Sequence, residues 1–386
     1  MRRIYLDYNG SSPCRPEVLA RMAEVSEGIF GNPSSAHKEG RDARSVVEEA
    51  RRRVATALGA EASEIVFTGG GTESDNLAIL GVLEACSRKH PHVVSSRIEH
   101  DAVLKTCRTL EGKGVQVSLA GCGDQGVVDA DEVGRLMGDE TVLVSLMHAN
   151  NETGCIQPIR EIAQAARECG IPTHTDAVQS VGKIPVDVNV LGVDLLSISG
   201  HKIGGPKGVG ALYVKKGTAL RSIMHGGGHE WGLRPGTESV SAVAGLGIAI
   251  TASVRGQAAD AQRLRRLKSL LLEGLASSSE GMHVNGSLDH STANTLNVSF
   301  DGLDGEALAI ALDLEDVAVS TGSACAAGAA EPSHVLEAMC LGRNRCRGAI
   351  RFSMGFATTE EEITRALEIV PRVVRRLRSC TRGLLQ

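Results

Sequence analysis

Residues 172–202 read PTHTDAVQSVGKIPVDVNVLGVDLLSISGHK. Two short runs, 172–175 and 195–199, have the apolar and β-branched texture of buried strands. Asp176 comes directly after the first run; Lys202 comes after the second, behind Ser199, Gly200 and His201. The separation of Asp176 and Lys202 fits one strand–helix–strand step. In open α/β sheets ligands bind outside the carboxyl ends of the strands, where both residues fall.

Working outward, further strands are expected at 64–67, 92–97, 141–148 and 210–214, with helical periodicity over 41–58, 74–87 and 159–168. Fully apolar strands separated by helices predict a mostly parallel sheet covered on both faces. Past Ala252 the texture changes. A basic amphipathic helix at 262–275 leads to strands at 293–300, 317–320 and 349–353, and to helices at 306–312, near 333–339 and after Thr358. The expectation is an α/β protein: a large ligand-binding domain over 15–255, and a smaller α+β domain from 1–14 and 256–386. Thr358-Thr359 followed by Glu360, Glu361 and Glu362 is a hydroxyl-capped, acid-rich helix start.

The composition excludes several classes. With 386 residues, 42% hydrophobic and 23% charged, the chain has the balance of a folded protein with a real core. A formal charge of −5 makes no case for direct nucleic-acid or membrane binding. No run approaches a membrane span; the best, 240–250, is short and rich in Gly and Ala. The start, Met1-Arg2-Arg3-Ile4-Tyr5-Leu6-Asp7, lacks an apolar signal core, so a cytoplasmic location is expected. None of the 10 cysteines forms a C-x-x-C pair, which argues against the usual zinc and redox spacings, and no metal site is expected. Cys86, Cys107, Cys122, Cys169 and Cys380 read as reduced thiols that are buried or incidental, and Cys14 and Cys155 as small packing residues.

Three signals carry chemistry. Phe67-Thr68-Gly69-Gly70-Gly71-Thr72-Glu73-Ser74 follows a strand and opens a helix. Its glycines allow backbone N–H groups to approach an anion, the helix N-terminus favours negative charge, and Thr72 and Ser74 offer hydroxyls. It matches neither the nucleotide-triphosphate nor the dinucleotide glycine pattern. The second signal is Asp176 at a strand end. The third is Lys202, among Ser, His and Gly residues at another strand end, where an amine of lowered pKa can form a Schiff base. A phosphate nest, a carboxylate for a pyridinium nitrogen and a Schiff-base lysine together are what pyridoxal phosphate requires.

Taken with its other motifs, the chain resembles the cysteine desulfurases of the NifS/IscS type, within the aspartate-aminotransferase-like pyridoxal-phosphate enzymes. The shared motifs run in order over nearly the whole chain: Tyr5-Leu6-Asp7, Gly31-Asn32-Pro33-Ser34-Ser35-Ala36-His37, Thr72-Glu73-Ser74, Glu99-His100, the stretch from His148 to Gly154, that from His174 to Ser180, and Ser199-Gly200-His201-Lys202. His225 to Glu230, Arg234-Pro235-Gly236-Thr237-Glu238, Gly322-Ser323-Ala324-Cys325 and Ile350-Arg351-Phe352-Ser353 complete the series.

The resemblance implies Lys202 as Schiff-base lysine and proton shuttle, His100 stacked on the pyridoxal ring and acting as proton acceptor, and Asp176 at the ring nitrogen. It implies Asn151 and Gln179 at the ring face and O3′, and Gly71, Thr72, Ser199 and His201 around the phosphate. Thr237 would reach that phosphate from the second subunit of a homodimer. Arg351 would bind the carboxylate of the substrate L-cysteine. Cys325 would take the sulfur as a persulfide, with alanine as co-product, and pass it to an acceptor protein. Small residues surround Cys325 from Ser320 to Ala330, so a mobile catalytic loop is expected over about 321–332. Its length resembles that of the long-loop desulfurases.

The chain also departs from the common pattern. Trp231 and Phe356 stand where arginines are usual, which removes charge expected near the site entrance and the dimer edge. Asn9-Gly10-Ser11-Ser12 replaces the frequent Asn/Ala-Ala-Thr-Thr. Tyr8-Asn9 also resembles selenocysteine lyases, so selenocysteine lysis or another C–S cleavage is the alternative activity. An aminotransferase in which Cys325 is incidental is a further one.

Overall fold

The computed structural model describes residues 3–321 and 332–383, with no side-chain description past Cys380. Cys325 and most of its expected loop lie outside the described residues.

Strand β1 (Ile4–Tyr5) precedes seven strands of the main sheet: β2 (Ile65–Thr68), β3 (His92–Ser96), β4 (Gln116–Ala120), β5 (Thr141–Met147), β6 (Thr173–Asp176), β7 (Leu195–Ser199) and β8 (Gly210–Val214). Their order is β2-β8-β7-β6-β5-β3-β4. All neighbours are parallel except β8, which runs antiparallel to both β2 and β7. Strands β2, β3, β5, β6 and β7 are buried at every residue, because helices cover both faces. The period-2 alternation of a strand divides adjacent residues between two apolar cores. Val93, Leu143 and Leu195 pack with Leu77 and Val103 of the helices Gly71–Ala85 and Asp101–Glu111. Val94, Val144 and Leu196 pack with Val47 and Val54 of the helix Lys38–Leu58 and with Ile162 of Ile159–Glu168. Strand β6 begins one residue later than expected and ends on Asp176, which pairs with Met147 and Ser197.

The rest of the chain builds β9 (Met282–Val284), β10 (Thr295–Phe300), β11 (Val317–Ala318) and β12 (Ala349–Ser353). β10 lies between β12 and β9 in an antiparallel sheet, and β1 pairs in parallel with β11. Ile4, Leu6, Leu271, Phe300, Leu308, Phe352 and Ile363 form a third core here. The last helix, Glu360–Gly383, starts as expected: Glu362 N–H donates to Thr359 Oγ1 (3.2 Å), and Thr359 N–H donates to Glu362 Oε2 (2.9 Å).

The short helix expected at 262–275 is the second half of one 39-residue helix, Val240–Ser278. Gly256 is the weakest helix former near its centre, and no proline interrupts it. Its first half supplies Leu246 and Ile250 to one core; its second supplies Leu264, Leu267 and Leu271 to another. The chain position 255/256 thus falls inside a continuous helix. Among the described residues no helix is long and apolar enough to cross a membrane.

Candidate active site

The carboxyl ends of β5, β6 and β7, the start of the helix Gly71–Ala85 and the buried strand β12 enclose a cavity of about 390 Å³, within the usual range for small-ligand sites. Gly71, Thr72, His100, Asn151, Asp176, Gln179, Ser199, His201, Lys202 and Arg351 all border it. Of the residues expected at the site, Thr237 is exposed and does not border the cavity, and Cys325 lies outside the described residues.

The glycine turn is sterically compelled. Gly70 has φ +149°, where L side chains are strained, and a Cβ on Gly71 would sit 2.7 Å from Val178 Cγ2. The bare backbone therefore lies against the segment after Asp176. Of the two hydroxyls expected at this turn, Thr72 borders the cavity. Ser74 does not: it is fully buried and spent on Thr68 Oγ1 (2.7 Å) and Gly70 O (3.1 Å), closing the turn from within. Glu73 accepts from Gly69 N–H (2.7 Å) and pairs with Arg234 (2.7 Å), tying the segment before Thr237 to this turn.

Asp176 Oδ1 accepts from Val178 N–H at 2.9 Å. Burial raises its pKa, while His100, the Val178 bond and Lys202 pull the other way. Asp75, 1% exposed, shares the cavity wall, and its Oδ1 has no hydrogen-bond partner. Burial and the charge of Asp176 push Asp75 well above the carboxylate range, since two neighbouring buried carboxylates do not both ionise. Beneath them His174, held by Ser145 (2.8 Å) and Ser197 (3.0 Å), is pushed down to about 3 by burial and stays neutral.

Lys202, on the single turn Gly200–Lys202 after β7, donates from Nζ to Asn9 O (2.6 Å) and Gly10 O (2.7 Å). His201 on the same turn contacts Ser11 Oγ at 3.2 Å, and burial with nearby Lys202 and Lys207 lowers it to about 4. His100 caps the helix Asp101–Glu111: its Nδ1 accepts from Ala102 N–H at 3.1 Å, which leaves the proton on Nε2. Burial lowers its pKa, against the opposing pull of the Asp176 carboxylate. Arg351 is 2% exposed; its Nη2 donates to Asp7 Oδ1 (2.8 Å) and its Nη1 to Asn151 O (2.9 Å), while its buried Nε has no partner. Gln179 Nε2 donates to Asn9 O at 3.0 Å.

Trp231 and Phe356, the positions expected near the site entrance and the dimer edge, each pack against a guanidinium. Phe356 packs edge-on against Tyr8 (6.1 Å) with the Arg15 guanidinium 4.2 Å above its ring, and Trp231 lies beside the Arg51 guanidinium (5.4 Å). Neither borders the cavity. Sequence reading quoted Asp7, Asn9 and Gly10 within motifs but gave neither them nor Asp75 a role at the site. Asn9 and Gly10 meet Lys202 through backbone carbonyls, for which side-chain identity gives no signal. Asp7 and Asp75 do lie inside or beside family motifs, but their partners are remote in sequence.

Residues 4–366 match the aminotransferase class-V family. The chain is 44% identical to the cysteine desulfurase IscS of Dictyoglomus turgidum over 378 residues, covering 98% of this chain and 96% of that protein. A solved NifS-like protein superposes with a TM-score of 0.91 at 37% identity, covering 97% and 99% of the two chains. SspA, solved in complex with cysteine, superposes with a TM-score of 0.81 at 37% identity, covering 91% and 98%.

Proposed function

The chain belongs to the aminotransferase class-V family and desulfurates cysteine, and from that premise we propose that it works with pyridoxal phosphate in the Lys202 cavity and a persulfide on Cys325. The observation that carries this reading is the convergence of an amine, a carboxylate, a glycine cradle and a buried guanidinium on one cavity. The residues fit the cofactor. The Gly71 cradle has no room for a Cβ, and Arg351 Nε is a buried polar atom without a hydrogen-bond partner in the wall of that space.

Bound there, pyridoxal phosphate would supply a carbonyl for Schiff-base exchange and a ring that withdraws electrons from the substrate α-carbon. Gly71, Thr72, Ser199 and His201 would hold its phosphate, Asp176 its ring nitrogen, and His100 its ring face. Arg351 would bind the cysteine carboxylate through its free Nε and a second N–H of one Nη, with Asp7 and Asn151 O holding the guanidinium in place. Lys202 Nζ would carry the proton taken from and returned to the substrate carbon. His100 is limited by its cap bond: its Nδ1 lone pair is engaged, so accepting a thiol proton there requires release of Ala102 N–H. In the net step the cysteine C–S bond breaks, an S–S bond forms on Cys325, and the carbon gains a proton to give L-alanine. The persulfide sulfur would then pass to an acceptor protein. We also read the protein as a homodimer, since Thr237 stands exposed and apart from its own chain's cavity, and, separately, as cytoplasmic.

The test is Cys325→Ala in the purified holoenzyme. The variant is expected to keep its visible cofactor band, reducible by borohydride onto Lys202, and to change colour with L-cysteine. Reductant-dependent sulfide release should be lost. Wild-type turnover by the variant would overturn the persulfide step, and a strong preference for selenocysteine that survives loss of the thiol would favour the lyase alternative.

A further inference from the structure

Two successive turns after β6 (Ser180 N–H to Ala177 O, 3.0 Å; Lys183 N–H to Ser180 O, 2.9 Å) fold Lys183 back over Gln179. Its Nζ donates to Gln179 Oε1 and, at 3.1 Å, to Asn9 Oδ1. Lys183 does not border the cofactor cavity; it lines a small neighbouring one of about 60 Å³ on the other side of Lys202. An ammonium has three donors and no acceptor, so whatever it touches must be oxygen. The two ends of a carboxamide have nearly the same shape, and packing alone does not choose between them.

We propose that Lys183 is a positioning residue that fixes the Gln179 and Asn9 amides, and through them the acceptor carbonyl that holds Lys202. This deepens the cofactor reading above and rests on it. With Oε1 turned to Lys183, Gln179 must present Nε2 on its other side, where it donates to Asn9 O (3.0 Å) beside the cavity. With Oδ1 turned to Lys183 and to Asn294 Nδ2 (2.9 Å), Asn9 must present Nδ2 to Thr295 Oγ1 (2.8 Å) and Asn151 O (3.1 Å). Asn9 O then accepts from Gln179 and from Lys202 Nζ (2.6 Å) together. A flip of either amide would set an N–H₂ group against the ammonium and leave a buried carbonyl unpaired, which the low-dielectric surroundings penalise. Lys202 and Arg351 are the charged groups that Lys183 faces; burial first, and then these two cations, lower its pKa well below the usual lysine value. Discrimination between the two ends of each amide belongs to the ammonium form, because a neutral amine would also offer a lone pair to a flipped –NH₂; the two oxygens on its Nζ, Gln179 Oε1 and Asn9 Oδ1, favour that form.

The experiment compares wild type, Lys183→Met, Lys183→Arg, Gln179→Ala and the Lys183→Met/Gln179→Ala double variant, each reconstituted with pyridoxal phosphate, with the melting of the apo-protein as the folding control. Lys183→Met is expected to raise the cofactor dissociation constant about tenfold and to change the ratio of the visible bands at fixed pH. Lys183→Arg, which keeps its donors, should stay within about twofold of wild type. Because Lys183 acts in part through Gln179, Lys183→Met should cost clearly less in the Gln179→Ala background than in the wild type, the remainder passing through Asn9. A full additional loss from Lys183→Met in the Gln179→Ala background would overturn the inference, as would an unchanged affinity and spectrum in Lys183→Met. If wild type itself forms no borohydride-reducible band on Lys202, the cofactor reading falls and takes this inference with it. A normal wild-type band with an indifferent Lys183 sinks this inference alone.

Discussion

Glu99 precedes the ring-stacking candidate His100 and is fully buried, with Ser96 Oγ and Met147 N–H (3.1 Å) both donating to Oε1. Its Oε2 has no partner, and burial pushes its pKa up to about 8. The unfolded chain ionises this group near pH ~4.3, whereas the folded chain keeps the proton until about pH 8. Between those values the folded state binds more protons, so raising the pH costs stability, by at most ~1.4 kcal/mol per pH unit from this group. Glu99→Gln, which stays neutral, is expected to flatten this loss. Urea unfolding midpoints of the two apo-proteins, measured from pH 5 to 8, decide the matter; parallel pH dependences would mean that Glu99 is ionised in the fold. His100 beside it shows how one residue can be held to two tasks. Its Nδ1 caps a helix, and that bond fixes the tautomer it offers to the cavity.

At the scale of elements, the glycine turn and the segment after β6 form one unit, because Gly71 rests on Val178. A methyl group on Gly71 has to displace Val178 Cγ2 from 2.7 Å to ordinary contact, which moves the backbone between Asp176 and Gln179. Gly71→Ala is expected to weaken pyridoxal phosphate binding about tenfold or more in equilibrium dialysis. Trimming the opposing methyls in Gly71→Ala/Val178→Ala should recover most of that loss. No recovery would assign the defect to the N–H groups of the turn itself rather than to the clash. Outside the turn, the segment leading to Thr237 is pinned twice to its own chain. Arg234 pairs with Glu73, and the buried Glu230 takes both Arg51 nitrogens (2.7 Å each) and Phe67 N–H (2.7 Å). Both anchors lie next to the glycine turn, so this segment and the turn move as one piece.

At the scale of the molecule, the site sits where two sheets meet. Lys202 and Asp176 come from the main sheet; Arg351 comes from β12 of the smaller one, and the N-terminal segment with Asp7 and Asn9 runs between them. Relative movement of the sheets would therefore change the distance between the amine and the guanidinium. The proposed dimer extends this composite character across two chains, and complementation tests it. Mixed dimers of Lys202→Ala and Thr237→Ala chains would carry one site with both defects and one site with neither. Cofactor titration should then find half of the mixed-dimer sites at wild-type affinity, while neither parent dimer has any. If mixing restores no such sites, Thr237 serves its own chain and the shared-site reading is wrong.

By itself the sequence determined six of the seven strands of the main sheet, missing the edge strand β4, with several covering helices; together with the family resemblance it named most of the residues around the cavity. Local signals suffice for the strands, the glycine turn, Asp176 and Lys202: apolar runs of strand length, glycines between strand and helix, and reactive side chains at or just beyond strand ends; His100, Asn151, Gln179, Ser199, His201 and Arg351 came from the resemblance. What only the tertiary structure decided are contacts that have no local signature. The carbonyls of Asn9 and Gly10 meet Lys202, Asp7 meets Arg351, Asp75 comes to lie beside Asp176, and Lys183 turns back on Gln179. The expected break before residue 262 likewise disappears into the helix Val240–Ser278, because each half of it finds a separate core to bury against. Propensity near Gly256 is a matter of ~1 kcal/mol, and burial of several leucines on either side outweighs it.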